Sequence, residues 1–223
     1  LKEIKSKAIH HEFIKVLSNL DFDSENIAVD KLNFVIKKLY EIGEIEKAYK
    51  LITKINLENT NIDDKYLEFF YLVKLNYLYS SYKLSEACEL RSFLIEQSFN
   101  LPKNLLQKSD IFCLTLENNF SEAKLLNSLL IESELEKDEN FQKLFNFMLF
   151  TENDNSFVQL ANIQSNDLIF LYSAMLRINE LPLDRDFIDI DPLNLSIPVI
   201  LSESTSMDVR IKAAHKAYED GLI

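Results

Sequence analysis

One four-residue pattern occurs three times in this sequence and constrains its fold more than any other feature. A bulky apolar residue, two polar residues and an alanine follow one another at 45–48, 84–87 and 120–123. The second alanine follows the first by 39 residues, and the third follows the second by 36. Such a period is typical of arrays of helical repeats. A single repeat cannot bury its apolar face alone, so neighbouring repeats must pack against one another.

Apolar residues around each alanine recur at helical spacing and predict a helix, a turn and a second helix. The predicted hairpins and their turns are 31–55 about Gly43, 64–98 about Tyr82, and 102–130 about Asn118 and Asn119. When the three alanines are superposed, four more columns are apolar in every hairpin. These columns are Ile36, Leu75 and Ile111; Leu39, Leu78 and Leu114; Ile45, Leu84 and Phe120; and Ile55, Leu94 and Leu130.

This pattern resembles tetratricopeptide repeats, a family whose second helix begins with a bulky residue, two polar residues and an alanine. The resemblance covers about 31–130, and the repeats are longer than the usual length of about 34 residues. It implies an all-α fold, a right-handed superhelical stack of antiparallel helix hairpins, in one domain spanning 1–223. Polar residues interrupt two columns: Lys74 and Asp110 share one with Val35, and Arg91 and Asn127 share another with Ile52.

The period weakens over 131–223, where we expect irregular helices. Amphipathic spacing predicts helices at 139–150, 157–163 and 167–178. A less regular section follows, because Pro182, Pro192 and Pro198 remove backbone donors and disfavour helix in the preceding residues.

The last predicted helix has a capping signal at each end. Thr205 and Asp208 resemble a capping box at its start, and Gly221 stands where a left-handed C-terminal cap is wanted. Ala213, Ala214 and Ala217 would form a small face for close packing. We expect this helix to cover the end of the stack.

Charge and hydropathy limit the partners. The formal net charge of −12 opposes nucleic acid and anionic membrane surfaces. No stretch approaches the roughly 18 uninterrupted apolar residues of a membrane-spanning helix, so we expect a soluble, cytoplasmic or periplasmic chain without membrane insertion. Because the numbering opens at Leu1 and not at a Met, a removed signal peptide or excision from a longer protein stays open. Abundant Lys, Asn and Ile with little Gly suggests a bacterial, AT-rich genome.

Two cysteines are too few for a disulfide framework. Cys88 and Cys113 both lie within apolar helical patterns, so we expect reduced thiols in the core. A bridge between them would require an oxidising compartment.

The sequence offers little support for catalysis, a cofactor or a metal. His10 and His11 are adjacent and point about 100° apart on a helix, so they cannot both bind one ion, and the third histidine is distant.

The carboxylate-rich run 184–191 lacks the glycine and distal Glu of a calcium loop, and we expect a solvated loop there. Gly43 and Gly221 are too far apart for a phosphate loop. Carboxylate catalysis by a stand-alone enzyme stays a third hypothesis.

The resemblance places the ligand-facing columns on the first helix of each hairpin. They fall at Asn33 and Lys37, at Leu72, Asn76 and Tyr79, and at Lys108, Phe112 and Thr115. The alternative is that such positions pack against neighbouring helices, as we expect of Leu72 and Phe112 in particular, which leaves six candidate ligand contacts. Amide, lysine and aromatic side chains suit an extended peptide. The leading hypothesis is a non-enzymatic protein- or peptide-binding scaffold that uses this concave face. The alternative is a helical accessory domain of a larger bacterial envelope enzyme, like the superhelical domains of some cell-wall lyases. The sequence does not indicate the partner or the oligomeric state.

Overall fold

The computed structural model describes residues 7–18, 29–55, 57, 62–133, 138–149, 160 and 168–223. Within these ranges the chain is all-helical and has no strand, which confirms the predicted all-α class. The helices are α1 (Lys7–Ser18), α2 (Val29–Glu41), α3 (Ile45–Thr53), α4 (Asp64–Ser80), α5 (Leu84–Glu96), α6 (Leu105–Leu116), α7 (Phe120–Ser133), α8 (Glu139–Leu149), α9 (Ile169–Ile178), α10 (Arg185–Ile190), α11 (Pro192–Leu201) and α12 (Met207–Glu219). None of these described helices is long and apolar enough to cross a bilayer.

The same backbone turn joins α2 to α3, α4 to α5 and α6 to α7. Its left-handed residue is Gly43, Tyr82 or Asn118, each with a positive φ and each five residues before a repeated alanine. In each turn the next N–H donates to the carbonyl five positions back, over 2.9, 2.8 and 2.8 Å. This bond satisfies a carbonyl that the helix end leaves free. The turns therefore lie where the sequence predicts them.

Consecutive helices from α2 to α7 pack against one another. Their contacts are filled by the repeated alanines and by the first two apolar columns, which are all buried. The third column is less regular, because Phe120 is 40% exposed whereas Ile45 is buried. The alanine column and the turns are thus the most regular features of this part of the chain.

Three of the four polar residues that interrupt the apolar columns, namely Arg91, Asp110 and Asn127, bond to polar partners. Arg91 donates to Asp110 Oδ1 at 2.7 Å and to Glu117 Oε1 at 2.8 Å. Burial raises the pKa of Asp110, although Arg91 opposes this effect. The amides of Asn127 and Gln142 exchange two hydrogen bonds of 2.8 Å. Buried polar groups that bond in this way avoid most of the cost of leaving water.

Cys88 and Cys113 form a disulfide between α5 and α6, with their Cα atoms 5.5 Å apart. The expectation of two reduced core thiols is therefore corrected. The reason is the direct packing of α5 on α6, which brings positions 25 residues apart in sequence within bonding distance.

The C-terminal helices pack on α4 and α6, the first helices of the second and third hairpins. Helix α9 packs on α4, α8 contacts both α6 and α9, and α11 contacts α4. Helix α12 packs on α11 and buries Ala213 and Ala217. Gly221 has a φ of 76°, and Leu222 N–H donates to the Ala217 carbonyl over 2.8 Å, so the predicted C-terminal cap is confirmed.

The predicted capping box at Thr205 and Asp208 is wrong. Helix α12 begins one residue later than that motif requires, and Ser206 occupies its N-cap position. Thr205 is buried instead, where its hydroxyl accepts from Leu183 N–H at 2.8 Å and donates to Ser202 Oγ at 2.9 Å. Its side chain therefore links the segment before α10 to the segment that follows α11.

The expected solvated loop at 184–191 is also wrong, because most of it forms α10. Phe187 and Ile188 are buried and anchor this short helix in the core. Pro192 is the first residue of α11, a position that proline tolerates, and Pro198 lies inside that helix. The predicted helix at 157–163 lies outside the described residues, apart from the single position 160.

Candidate binding site

The six residues predicted to face a ligand lie on the neighbouring helices α2, α4 and α6. Lys37 is exposed and Asn33 is half-buried. Asn76, Tyr79, Lys108 and Thr115 are buried, with at most 5% of their surface exposed. These four side chains are out of reach of a peptide in this arrangement, because α9 lies over α4 and α8 lies over α6.

The buried members of this set contact other parts of the chain. Asn76 Nδ2 donates to Tyr40 OH at 3.1 Å, and Thr115 donates to the Ile111 carbonyl at 2.8 Å. The ring of Tyr79 meets Phe112 edge-on with centroids 6.0 Å apart. Burial raises the pKa of the Tyr79 phenol, which keeps it neutral. In this structure these groups contribute to packing.

Lys108 takes part in a buried ionic network that joins α6, α8 and α9. Its ammonium lies 2.9 Å from Asp138 Oδ2 and 5.8 Å above the ring of Phe141. Tyr172 donates to the same carboxylate oxygen, and Phe141 N–H donates to Asp138 Oδ1 at 3.0 Å. Burial alone would raise the pKa of Asp138, but the bonds from Tyr172, Phe141 N–H and Lys108 hold it below its usual value. The network therefore joins α8 and α9 to α6.

An open pocket of 610 Å³ lies instead between the start of α4 and the end of α5. We call it the acidic aromatic pocket. Helix α4 contributes Asp64, Leu67, Glu68 and Tyr71, which recur at i, i+3, i+4 and i+7 and so share one face of the helix. Its volume falls within the range of roughly 300–1,000 Å³ typical of ligand pockets. The spacing of these four residues shows in the sequence that they share one helix face, but none of them belongs to the predicted ligand-facing columns.

Three aromatic rings line the pocket. The ring of Tyr71 lies 5.6 Å from that of Phe93 and 4.9 Å from that of Phe99, centroid to centroid. Phe99 reaches this place because Ser98 has a φ of 56° and the Phe99 N–H donates to the Leu94 carbonyl at 3.2 Å, which reverses the chain after α5. The ammonium of Lys74 lies 5.4 Å from the Tyr71 centroid. One ring of this group already attracts a cation, as ring quadrupoles do.

Two carboxylates stand at the pocket. Asp64 is exposed, and Glu68 is half-buried and accepts from Asn100 N–H at 3.4 Å. Neither forms an ion pair with a Lys or Arg in the described part of the chain. Gln97 and Ser98 complete the polar edge. Unpaired acids beside aromatic rings favour a cation that carries an apolar stem, as lysine and arginine side chains do.

Comparisons with protein-family models, curated proteins and solved structures find no match for this chain. Among the described residues, no three His, Cys, Asp or Glu side chains are grouped so that they could hold a metal ion. His215 is exposed on α12. The pocket must therefore be interpreted from its own geometry.

Proposed function

We propose that this chain is a protein- or peptide-binding helical module without catalytic activity of its own, and that the acidic aromatic pocket receives a basic side chain of the partner. The observation that carries the proposal is one open pocket that combines three aromatic rings with two carboxylates, neither of which pairs with a Lys or Arg of the described residues. The negative net charge of the chain also attracts basic segments. The predicted inner trough is covered at four of its six positions, so binding is assigned to the pocket.

A divergent tetratricopeptide-like array, stacked as a right-handed superhelix, remains part of this proposal. It is supported by the three like turns, by their equal spacing from the buried alanines and by the consecutive packing of α2 to α7. In such arrays each helix pair contacts its neighbours, so an elongated surface is available to a partner.

Arginine should bind better than lysine. Its planar guanidinium can stack on an aromatic ring and present several donors to carboxylates, whereas the lysine ammonium is a compact and strongly hydrated charge. One cation over an aromatic ring contributes about 0.5–2 kcal/mol, and each exposed ion pair adds up to about 1 kcal/mol. A single side chain is thus expected to bind weakly, and residues beside it in the peptide must contribute the rest.

Binding can be tested with fluorescein-labelled Gly-Ser peptides that differ only at the central residue, which is Arg, Lys, norleucine or Glu. Fluorescence polarisation should rank their affinities as Arg, then Lys, then norleucine, with Glu the weakest. The cationic peptides should also bind less tightly as the salt concentration rises, because their charges are screened. Equal affinity for all four peptides would contradict the proposal.

Variants locate the effect in the pocket. Glu68→Gln and Phe93→Leu should each weaken the Arg peptide several-fold, by roughly 1 kcal/mol. Glu89→Gln removes the same charge from an exposed position of α5 outside this pocket and serves as the matched control. If Glu89→Gln weakens binding as much as Glu68→Gln does, only the net charge of the protein is being measured.

A helical accessory domain of a larger envelope enzyme is the second candidate. The observation that favours it is the Cys88–Cys113 disulfide, because such bonds persist in oxidising compartments and are rare in the cytosol. In this second candidate the acidic aromatic pocket also binds a basic side chain, so the peptide experiment applies to both candidates. Thiol alkylation of the protein in its native cells, before lysis, distinguishes the compartments: modified cysteines would count against an envelope location.

A further inference from the structure

The guanidinium of Arg177, near the end of α9, lies against the turn between α4 and α5. Its Nη1 donates to the Ser80 carbonyl at 2.9 Å, and its centre lies 4.5 Å from the centroid of the Tyr82 ring. Burial lowers its pKa, but from so high a value that it stays charged. No carboxylate of the described residues forms an ion pair with it. A half-buried cation without a counter-ion is uncommon, because buried charges are usually paired.

The position of Tyr82 adds to this observation. The equivalent turn residues are Gly43 and Asn118, which tolerate a left-handed backbone better than a tyrosine does. Tyr82 adopts this unfavourable backbone conformation and places its ring over Arg177. The ring holds one face of the guanidinium and leaves its edges for hydrogen bonds.

Arg177 and Tyr82 line an open pocket of 440 Å³ between the α4–α5 turn and the segment that joins α11 to α12. Ser204 Oγ donates its only proton to the Leu181 carbonyl at 3.1 Å. Ser202 Oγ lies 3.5 Å from Ser204 Oγ and accepts from Thr205 at 2.9 Å, so Ser202 is the hydroxyl that can donate to a ligand. Glu180 and Glu203 are exposed at the same pocket. The guanidinium has five N–H donors, and the Ser80 carbonyl uses one of them, so donors remain for a ligand.

We propose that this second pocket binds a carboxylate, with Arg177 as its principal donor and the Ser202 hydroxyl as a secondary donor. The planar guanidinium fork matches the two oxygens of a carboxylate. A carboxylate carries one negative charge, so Glu180 and Glu203 repel it less than they repel a phosphate dianion. Two sources supply this chemistry, namely the C-terminus of a peptide and a small free carboxylate.

NMR titration of the intact 15N-labelled protein tests the proposal at constant ionic strength. The probes are N-acetyl-alanyl-alanine, its C-terminal amide and acetate, and the readouts are the Arg177 Nε–H and the amides of 202–204. The acid should shift these resonances in a saturable manner and bind about tenfold more tightly than the amide, which lacks the charge. If acetate binds as tightly as the acid, the ligand is a small carboxylate; if acetate binds more weakly, it is a chain end. Equal shifts with acid and amide would overturn the proposal.

Two variants complete the test. Arg177→Lys keeps the charge but loses the fork, so several-fold weaker binding of the acid is expected. Arg177→Gln keeps a donor for the Ser80 carbonyl but loses the charge, so the preference for acid over amide should disappear. Retention of that preference in Arg177→Gln would also overturn the proposal. The wild-type titration decides the question even if a variant fails to fold.

Discussion

Asp138→Ala should lower the free energy of unfolding by about 3–5 kcal/mol, because it breaks the buried ion pair in which Asp138 Oδ2 lies 2.9 Å from the ammonium of Lys108. Only 3% of the Lys108 surface is exposed. The change also removes an acceptor from Tyr172 and from Phe141 N–H at the start of α8. Urea unfolding followed by far-UV circular dichroism measures the loss.

Asp63→Ala is the matched control. Asp63 also accepts from a backbone N–H at the start of a helix, that of Lys65 at 2.9 Å, but it is exposed and has no buried cation beside it. Its removal should cost about 1 kcal/mol, the usual contribution of an N-cap. Replacing both charges, in Lys108→Met with Asp138→Asn, should restore much of the loss, because the pair then leaves no lone buried charge. If Asp138→Ala costs no more than Asp63→Ala, the ionic network does not hold α8 and α9 in place.

Reduction of the Cys88–Cys113 disulfide should lower the free energy of unfolding by about 3–4 kcal/mol. The bond joins positions 25 residues apart, and the chain-entropy argument assigns about this amount to a closed loop of that size. Unfolding midpoints in urea, measured with and without dithiothreitol, give the difference.

The variant with both Cys88→Ala and Cys113→Ala serves as control. Its midpoint should match that of the reduced wild type and should not respond to dithiothreitol. Thiol titration of the denatured, unreduced wild type should find no free thiol. Two free thiols in that titration would show that α5 and α6 are not linked and would restore the sequence-based expectation.

The features that the sequence predicts well are those that depend on residues close together in the chain. The alanine columns, the turns about Gly43 and Asn118 and the C-terminal cap at Gly221 depend on residues close together in the chain. Tyr82 is the exception among the three turn residues, because tyrosine does not favour a left-handed backbone conformation. The turn there is predicted from the two flanking helical patterns and not from the turn residue itself.

Long-range pairing was not predictable from this sequence. Lys108 and Asp138 are 30 residues apart, and Asp138 belongs to no repeated column. Helices α8 and α9 follow the part of the chain where the period fades, so nothing in the pattern shows that α8 packs on α6 and α9 on α4. Arg91 and Asp110 interrupt different columns, and only their packing shows that each interruption compensates the other.

The acidic aromatic pocket is not predictable from the sequence for a related reason. Asp64, Leu67, Glu68 and Tyr71 are recognisable as one face of a helix, but an exposed face alone does not identify a pocket. Phe93 and Phe99 complete it, and Phe99 arrives through a left-handed turn at Ser98, a residue that does not favour that conformation. The decisive contacts therefore depend on the turn after α5.

Hydrogen–deuterium exchange of the protein with and without the arginine peptide tests the central claim most directly. If basic segments bind in the acidic aromatic pocket, amides at 64–71 and 93–100 should exchange more slowly in the complex, while those at 76–79 and 108–115 should be unchanged. Protection of α2 about Asn33 and Lys37, or faster exchange in α8 and α9 as the inner face opens, with no change at the pocket, would contradict the account.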